Sequence, residues 1–230
     1  MFYIVHIICM LTMVIDHVGF MFFPEFSLLR GIGRISFPLY SYFLVSGYHH
    51  TGNKSKYLIR LLSLAFVSEI AYDIMVFGSI SDISQVMTNQ NVCFTFVIGF
   101  VAIWLSDYIS SLNIKFKNGL IFAVFLLAAV IATLIKSDYM FIGIFLIYCY
   151  YLSYKIAKFN KCIAVIPFML LNMMGSEPGE WVIYLFVLVN VLLLAIYQDK
   201  QIKVNKAFSF VNRIFYPAHM LALVLIKFFI

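Results

Sequence analysis

Charge is what this chain has least of. Asp, Glu, Lys and Arg together make up 11% of the 230 residues, 64% are apolar or aromatic, and mean hydropathy is +1.00. An average soluble domain is about 45–50% apolar and about 25% charged. With 16 Lys and Arg and 10 Asp and Glu, there is too little polarity to cover a soluble surface of this size, which excludes a soluble fold and indicates an integral membrane protein. Cysteine is also sparse. Cys9, Cys93, Cys149 and Cys162 stand singly in or beside apolar runs, with no C-x-x-C pair and no spaced Cys/His set, so neither a disulfide frame nor a metal site is expected. The first 23 residues lack a basic leader and a small-residue cleavage site, and Asp16-His17 interrupts their apolar run. They read as a first membrane helix rather than a cleaved signal. No internal repeat and no low-complexity linker is present. The net charge of +6 and pI near 9.1 are read as topology signals and lipid contacts, with no nucleic-acid partner.

What is present is a series of apolar stretches. A membrane helix needs about 20 residues at 1.5 Å each to cross about 30 Å of hydrocarbon. On that ruler, nine spans fall near 3–23, 33–48, 57–77, 92–111, 119–135, 139–154, 162–175, 181–197 and 213–229. The fold class is therefore an all-α polytopic bundle in a single domain, 1–230. Basic residues divide unevenly between the alternating loops. Lys54, Lys56, Arg60, Lys115, Lys117, Lys155, Lys158, Lys161, Lys200, Lys203, Lys206 and Arg213 fall on one side, and Arg30, Arg34, Lys136 and Lys227 on the other. The positive-inside rule then places the N-terminus in the cytoplasm. Outside lie Glu177 and Glu180 and the loop from Gly78 to Gln90.

Charged side chains within spans are costly and need a reason. At 1.5 Å per residue, Asp16 lies about 20 Å up from the cytoplasmic end of its helix, Glu69 about 18 Å and Asp73 about 24 Å. His17 adjoins Asp16, and Arg34 enters from the outer side a short way below the surface. All five fit one layer in the outer half of the membrane. Glu69 and Asp73 are four apart on one helix face, so a proton or cation must separate their charges. One reading is that Arg34 neutralises Glu69 or Asp73 as a tie between helices. His17, which titrates near neutrality, points instead to a site. Neighbouring helix positions diverge by about 100°, so Glu69 or Asp73 is expected to orient His17 rather than Asp16.

Other polar residues supplement this layer. His6, Met10, Met13 and His17 share a face that could line a path, although His6 also suits a packing role. His219 follows Pro217, which frees a backbone carbonyl. Gly31-Ile32-Gly33-Arg34 reads as a tight turn, not a phosphate loop, because no strand precedes it and the third glycine is missing. His49, His50, Thr51, Asn53, Lys54, Lys56 and Arg60 crowd one cytoplasmic connection. Positive-inside bias accounts for the lysines, and a rim that receives phosphates is the functional alternative.

These residues fall into an ordered pattern: Ile15-Asp16-His17-Val18-Gly19, Phe23-Pro24, Arg30, Gly33-Arg34-Ile35-Ser36-Phe37-Pro38-Leu39, Ser46-Gly47-Tyr48-His49-His50-Thr51 with Asn53, Tyr57-Leu58, Arg60-Leu61 and Ser68-Glu69-Ile70. Asn91-Val92 with Phe94-Thr95, Ser137-Asp138-Tyr139 with Gly143, and Phe215-Tyr216-Pro217-Ala218-His219 extend it. The pattern resembles the TraX family, most densely over residues 14–70. The resemblance implies an integral membrane acyltransferase, since the family is named for the protein that N-acetylates F-pilin and sits within a wider group of acetyl-CoA-dependent transmembrane acyltransferases. Asp16, His17, Arg34, Glu69 and His219 stand in matching contexts.

The expected reaction is acyl transfer from a cytoplasmic acyl-CoA donor, acetyl-CoA, to an amine or hydroxyl on a protein, peptide or cell-envelope glycan at the outer half of a bacterial membrane. His17 would serve as general base or as acyl carrier. Arg34 or Ser36 would stabilise the thioester oxyanion. Asp16, Glu69 and Asp73 complete the expected catalytic set, and His49, His50, Asn53, Lys54, Lys56 and Arg60 form the expected donor rim. The main alternative is a proton-coupled transporter using the same charges, although the inverted repeats common in carriers are absent. A scaffold protein would leave the polar layer without a purpose.

Overall fold

The computed structural model describes residues 2–78, 88–156, 160–176, 181–197 and 204–229. The expectations for Glu177, Glu180, Lys158, Lys200, Lys203 and residues 79–87 lie outside the described residues. The described chain is a bundle of helices. These are α1 (Phe2–Phe22), α2 (Ser27–Gly33), α3 (Ser36–His50), α4 (Lys54–Phe77), α5 (Val92–Ser111), α6 (Lys117–Leu134), α7 (Met140–Lys155), α8 (Val165–Met174), α9 (Trp181–Leu185), α10 (Val189–Ile196) and α11 (Lys206–Phe229). A 3-10 turn, Phe186–Leu188, joins α9 to α10.

Helix boundaries follow local chemistry. Asn53 caps α4 by accepting from the Lys56 N–H at 2.8 Å, and α4 ends at Gly78, whose φ of 73° takes the left-handed C-terminal position. Asn91 caps α5 by accepting from the Cys93 N–H at 2.9 Å. The structure corrects three expected boundaries. The Gly31–Arg34 segment is no tight turn: its glycines belong to the short helix α2, which folds back against α1. The last helix begins at Lys206 rather than 213 and runs through Pro217 without ending. The stretch expected at 162–175 yields a helix of only 10 residues.

Among the described helices, α1, α5, α6 and α11 are long and apolar enough to cross a membrane. Their outer surfaces agree with this. Helix α6 turns Phe122, Leu126, Leu127, Val130 and Leu134 outward, a surface suited to lipid rather than water. In lipid, helices associate through close packing more than through apolar burial. Gly99 shows this, because the Ile147 side chain occupies the space that a Cβ there would need.

Two polar clasps define opposite faces of the bundle. On one face, Asp107 near the end of α5 meets Lys155 at 2.7 Å and Lys54 at 3.8 Å, and accepts from Tyr48 and Tyr151 at 3.0 and 3.3 Å. The Asn205 N–H donates to Tyr3 at 3.2 Å, bringing the start of α11 beside the start of α1. On the other face, Gln90 and the loop before α7 exchange backbone bonds, Gln90 N–H to Lys136 O at 3.1 Å and Asp138 N–H to Gln90 O at 2.9 Å. Helices α1, α4 and α11 thus start on the same, lysine-bearing face and run parallel. Lys161, counted with that face by sequence, turns inward: its Nζ donates to Tyr197 O at 2.9 Å and to the Tyr42 hydroxyl at 3.3 Å. Burial holds this ammonium below the usual lysine range.

Candidate functional site

Parallel α1 and α11 bring two histidines to one height, each more than a dozen residues from the start of its helix. His219 Nδ1 lies 2.7 Å from Phe215 O. A carbonyl only accepts, so Nδ1 carries the proton and the neutral ring presents a lone pair at Nε2. That Nε2 lies 2.7 Å from His17 Nδ1, with the rings 5° from parallel. With both rings neutral, His17 donates through Nδ1 and keeps a lone pair at Nε2. His17 is therefore oriented by His219, not by Glu69 or Asp73 as the sequence suggests.

His17 forms part of the wall of an internal cavity of about 230 Å³ that also touches His6, Met13, Asp16, Ser36, Asp138 and Tyr139. His6, Met13 and His17 line it as the shared face of α1 predicts, whereas Met10 is absent from the wall. His6 is anchored by Phe2 O at 2.9 Å and stacks on Phe43 at 4.0 Å, and so also fills the packing role.

Asp16 is held by Arg30, with Nη1 2.7 Å from Oδ1. Its carboxyl lies directly against Gly33, where any Cβ would collide with it. Glycine at 33 therefore allows α2 to close onto α1. Arg34 does not neutralise Glu69 or Asp73: its Nη1 donates to the Tyr139 hydroxyl at 3.2 Å, and its guanidinium lies 5.8 Å from the centres of the Tyr139 and Tyr184 rings. Ser36 lines the cavity but donates its hydroxyl proton to Gly33 O at 2.8 Å, leaving Ser36 as an acceptor and not an oxyanion donor.

Glu69 and Asp73 stand apart from the cavity wall. Glu69 accepts from the Asn91 backbone N–H at 3.1 Å and from the Asn91 side chain, which also donates to Ala65 O at 2.9 Å. This network ties α4 to the start of α5. Glu69 Oε1 and Asp73 Oδ1 are buried without hydrogen-bond partners among the described residues.

The expected donor rim divides in the same way. Lys54 is held by Tyr48 at 2.6 Å and by Asp107. His50 donates to Ser46 O at 2.8 Å, His49 stacks on Tyr154 at 4.4 Å, and Asn53 is the α4 cap. Only Lys56 and Arg60 remain exposed and outside this lattice.

Sequence reasoning passed over Arg30, Asn91, Asp107, Asp138 and Tyr139 as site or clasp residues. The loop bearing two of them is strained: Lys136, Tyr139 and Met140 all have positive φ, 51°, 62° and 40°. For non-glycine residues each costs about 1–3 kcal/mol and persists only where surroundings enforce it. Here Thr95 bonds Ser137 and Asp138 O, while Tyr139 stacks on Phe37 at 3.8 Å. The Ser137-Asp138-Tyr139 signal was visible only as part of the family pattern.

Comparison with known proteins agrees with this pattern. A probable fimbrial assembly protein, FimC of serogroup H1 from Dichelobacter nodosus, is 32% identical over 124 residues, covering 51% of this chain and 50% of that relative. The match thus spans about half the length of the curated relative. No solved structure matches. The family model described as TraX protein matches residues 3–227, nearly the whole chain, and the chain therefore belongs to the TraX family.

Proposed function

We propose that this protein is a membrane acyltransferase that moves an acetyl group from cytoplasmic acetyl-CoA to an amine or hydroxyl acceptor at the outer side of a bacterial cytoplasmic membrane, with its N-terminus in the cytoplasm. The observation that carries the reading is the 2.7 Å contact of His219 with His17, a residue of the cavity wall, which leaves His17 Nε2 as a lone-pair base. The acceptor loses its proton to Nε2 as it attacks the thioester carbon, and His219 Nε2 stabilises the resulting imidazolium through the Nδ1–H. As the C–S bond breaks, His17 returns that proton to the leaving thiolate. Tyr139 takes the oxyanion role first assigned to Arg34: its hydroxyl accepts from Arg34 and is thereby polarised, leaving its own proton to donate into the cavity. The same Nε2 suits a two-step route through an acyl-imidazole. Asp16 and Arg30 hold α2 against the base. The association of the family name with F-pilin acetylation, and of the relative's name with fimbrial assembly, favours a pilin-type protein acceptor over a glycan.

A proton-coupled carrier is the second reading, favoured by the unpartnered Glu69 Oε1 and Asp73 Oδ1. Ligand linkage separates the two. Acetyl-CoA at about 100 times its Kd should stabilise an enzyme by about 2.7 kcal/mol and should label an envelope extract with acetyl from the donor. Absence of both effects at millimolar acetyl-CoA would reject the acyltransferase.

A further inference from the structure

A groove of about 460 Å³ opens between α4 and α11, lined by Arg60 from one helix and by Ser209, Asn212 and Arg213 from the other. It adjoins the His17 cavity, because Tyr57, Leu61, Leu64, Asn212 and Arg213 belong to the walls of both. The mouth is cationic: no carboxylate lines it among the described residues. Arg213 Nη2 donates to Ser209 at 2.9 Å, and the Arg60 guanidinium sits 5.5 Å from the centre of the Tyr57 ring. Both side chains are thus braced by neutral groups, and no carboxylate among the described residues pairs with either, unlike Lys54 and Lys155, which share Asp107. Farther in, Asn212 Oδ1 is buried without a partner among the described residues, an acceptor on the shared wall. From Arg213 to His219 is six residues of helix, about 9 Å of rise.

We propose that this groove is a lateral portal in which Arg60 and Arg213 bind the phosphates of the donor, while its amide-bearing arm passes Asn212 and ends in the cavity at His17. The proposal rests on the acyl-CoA reading but moves the phosphate site away from the α3–α4 connection, of which it retains Arg60 alone. Guanidinium pairs suit phosphate because they donate two parallel charge-assisted hydrogen bonds. Asn212 Oδ1 faces an arm that carries amide N–H groups. Anionic lipid offers the same phosphate chemistry from the bilayer side, and it forms the control arm of the test.

The test uses the full chain in neutral phosphatidylcholine nanodiscs, with CoA and pantetheine titrated into wild type, Arg60→Gln, Arg213→Gln and the double variant. Both arginines are exposed, so the variants are expected to fold, as unliganded melting temperatures will check. The expected result is a loss of about tenfold in CoA affinity per arginine, with pantetheine affinity unchanged. Unchanged CoA affinity in the double variant overturns the portal while leaving the acyltransferase reading intact. Wild type that binds no CoA at millimolar concentration rejects that reading itself. If phosphatidylglycerol then stabilises wild type but not the double variant, the groove belongs to lipid and the donor portal is overturned.

Discussion

His17 and His219 are 202 residues apart in sequence and 2.7 Å apart in space, His17 Nδ1 to His219 Nε2. Because His219 spends its only N–H on Phe215 O, the pair has a direction: proton on His17 Nδ1, lone pair on His17 Nε2. That polarity makes His219 a positioning residue. It fixes the tautomer of the base without touching the acceptor.

His219→Ala removes the acceptor that fixes this tautomer. Acetyl transfer should fall about 100-fold in kcat with KM for acetyl-CoA little changed. His219→Gln, which can offer a carbonyl oxygen to His17 Nδ1–H, should recover part of the loss. Steady-state kinetics on purified protein check both, and a purely structural role would give no recovery.

Gly33→Ala forces a methyl group into the Asp16 carboxyl. Overpacking of this kind costs about 1–3 kcal/mol, so the melting temperature should drop and transfer should fall with it as α2 lifts from α1. Gly119→Ala is the control: its Cβ would meet nothing within 4 Å, and the thermal melt should be unchanged or slightly higher.

Asp107→Asn weakens the clasp that joins Lys54, Lys155, Tyr48 and Tyr151 on the lysine-bearing face. Hydrogen bonds to a charged group contribute about 1.5–3 kcal/mol, and a destabilisation in that range is expected from denaturation curves. The kcat of the folded fraction should match wild type, since Asp107 lies away from the cavity. A selective loss of kcat with no loss of stability would show that the clasp is part of the site.

Lys136→Gly relieves a φ of 51° at an exposed position. The variant should melt higher, by an equivalent of about 1 kcal/mol, with Asp138 and Tyr139 kept in place and transfer retained. A lower melting temperature would mean that the strain resides elsewhere in the loop.

Helix extent was legible in the sequence, because it follows from hydropathy and from counting residues. That arithmetic placed α5 at its observed boundaries, Val92–Ser111. It carries no information about which helix neighbours which. The partner of His17 therefore came out as a carboxylate on α4, when α11 supplies His219. Arg30 reads from sequence as a loop charge and a member of the family pattern but not as the partner of Asp16, because the fold-back of α2 depends on the glycine contact at Asp16 and not on hydropathy. Asp107 sits in an apolar run where its clasp depends on lysines from two other segments. The strained turn at Lys136–Met140 is enforced by tertiary contacts to Thr95 and Phe37, which no local pattern encodes.

The most direct test of the account is single-turnover transfer of radiolabelled acetyl from acetyl-CoA to an envelope acceptor by wild type and His17→Ala, with acetyl-CoA binding measured on the same preparations. His17→Ala should bind acetyl-CoA within about twofold of wild type while transferring acetyl about 1,000-fold more slowly. Transfer by His17→Ala at the wild-type rate would contradict the assignment of His17 Nε2 as the reacting nitrogen.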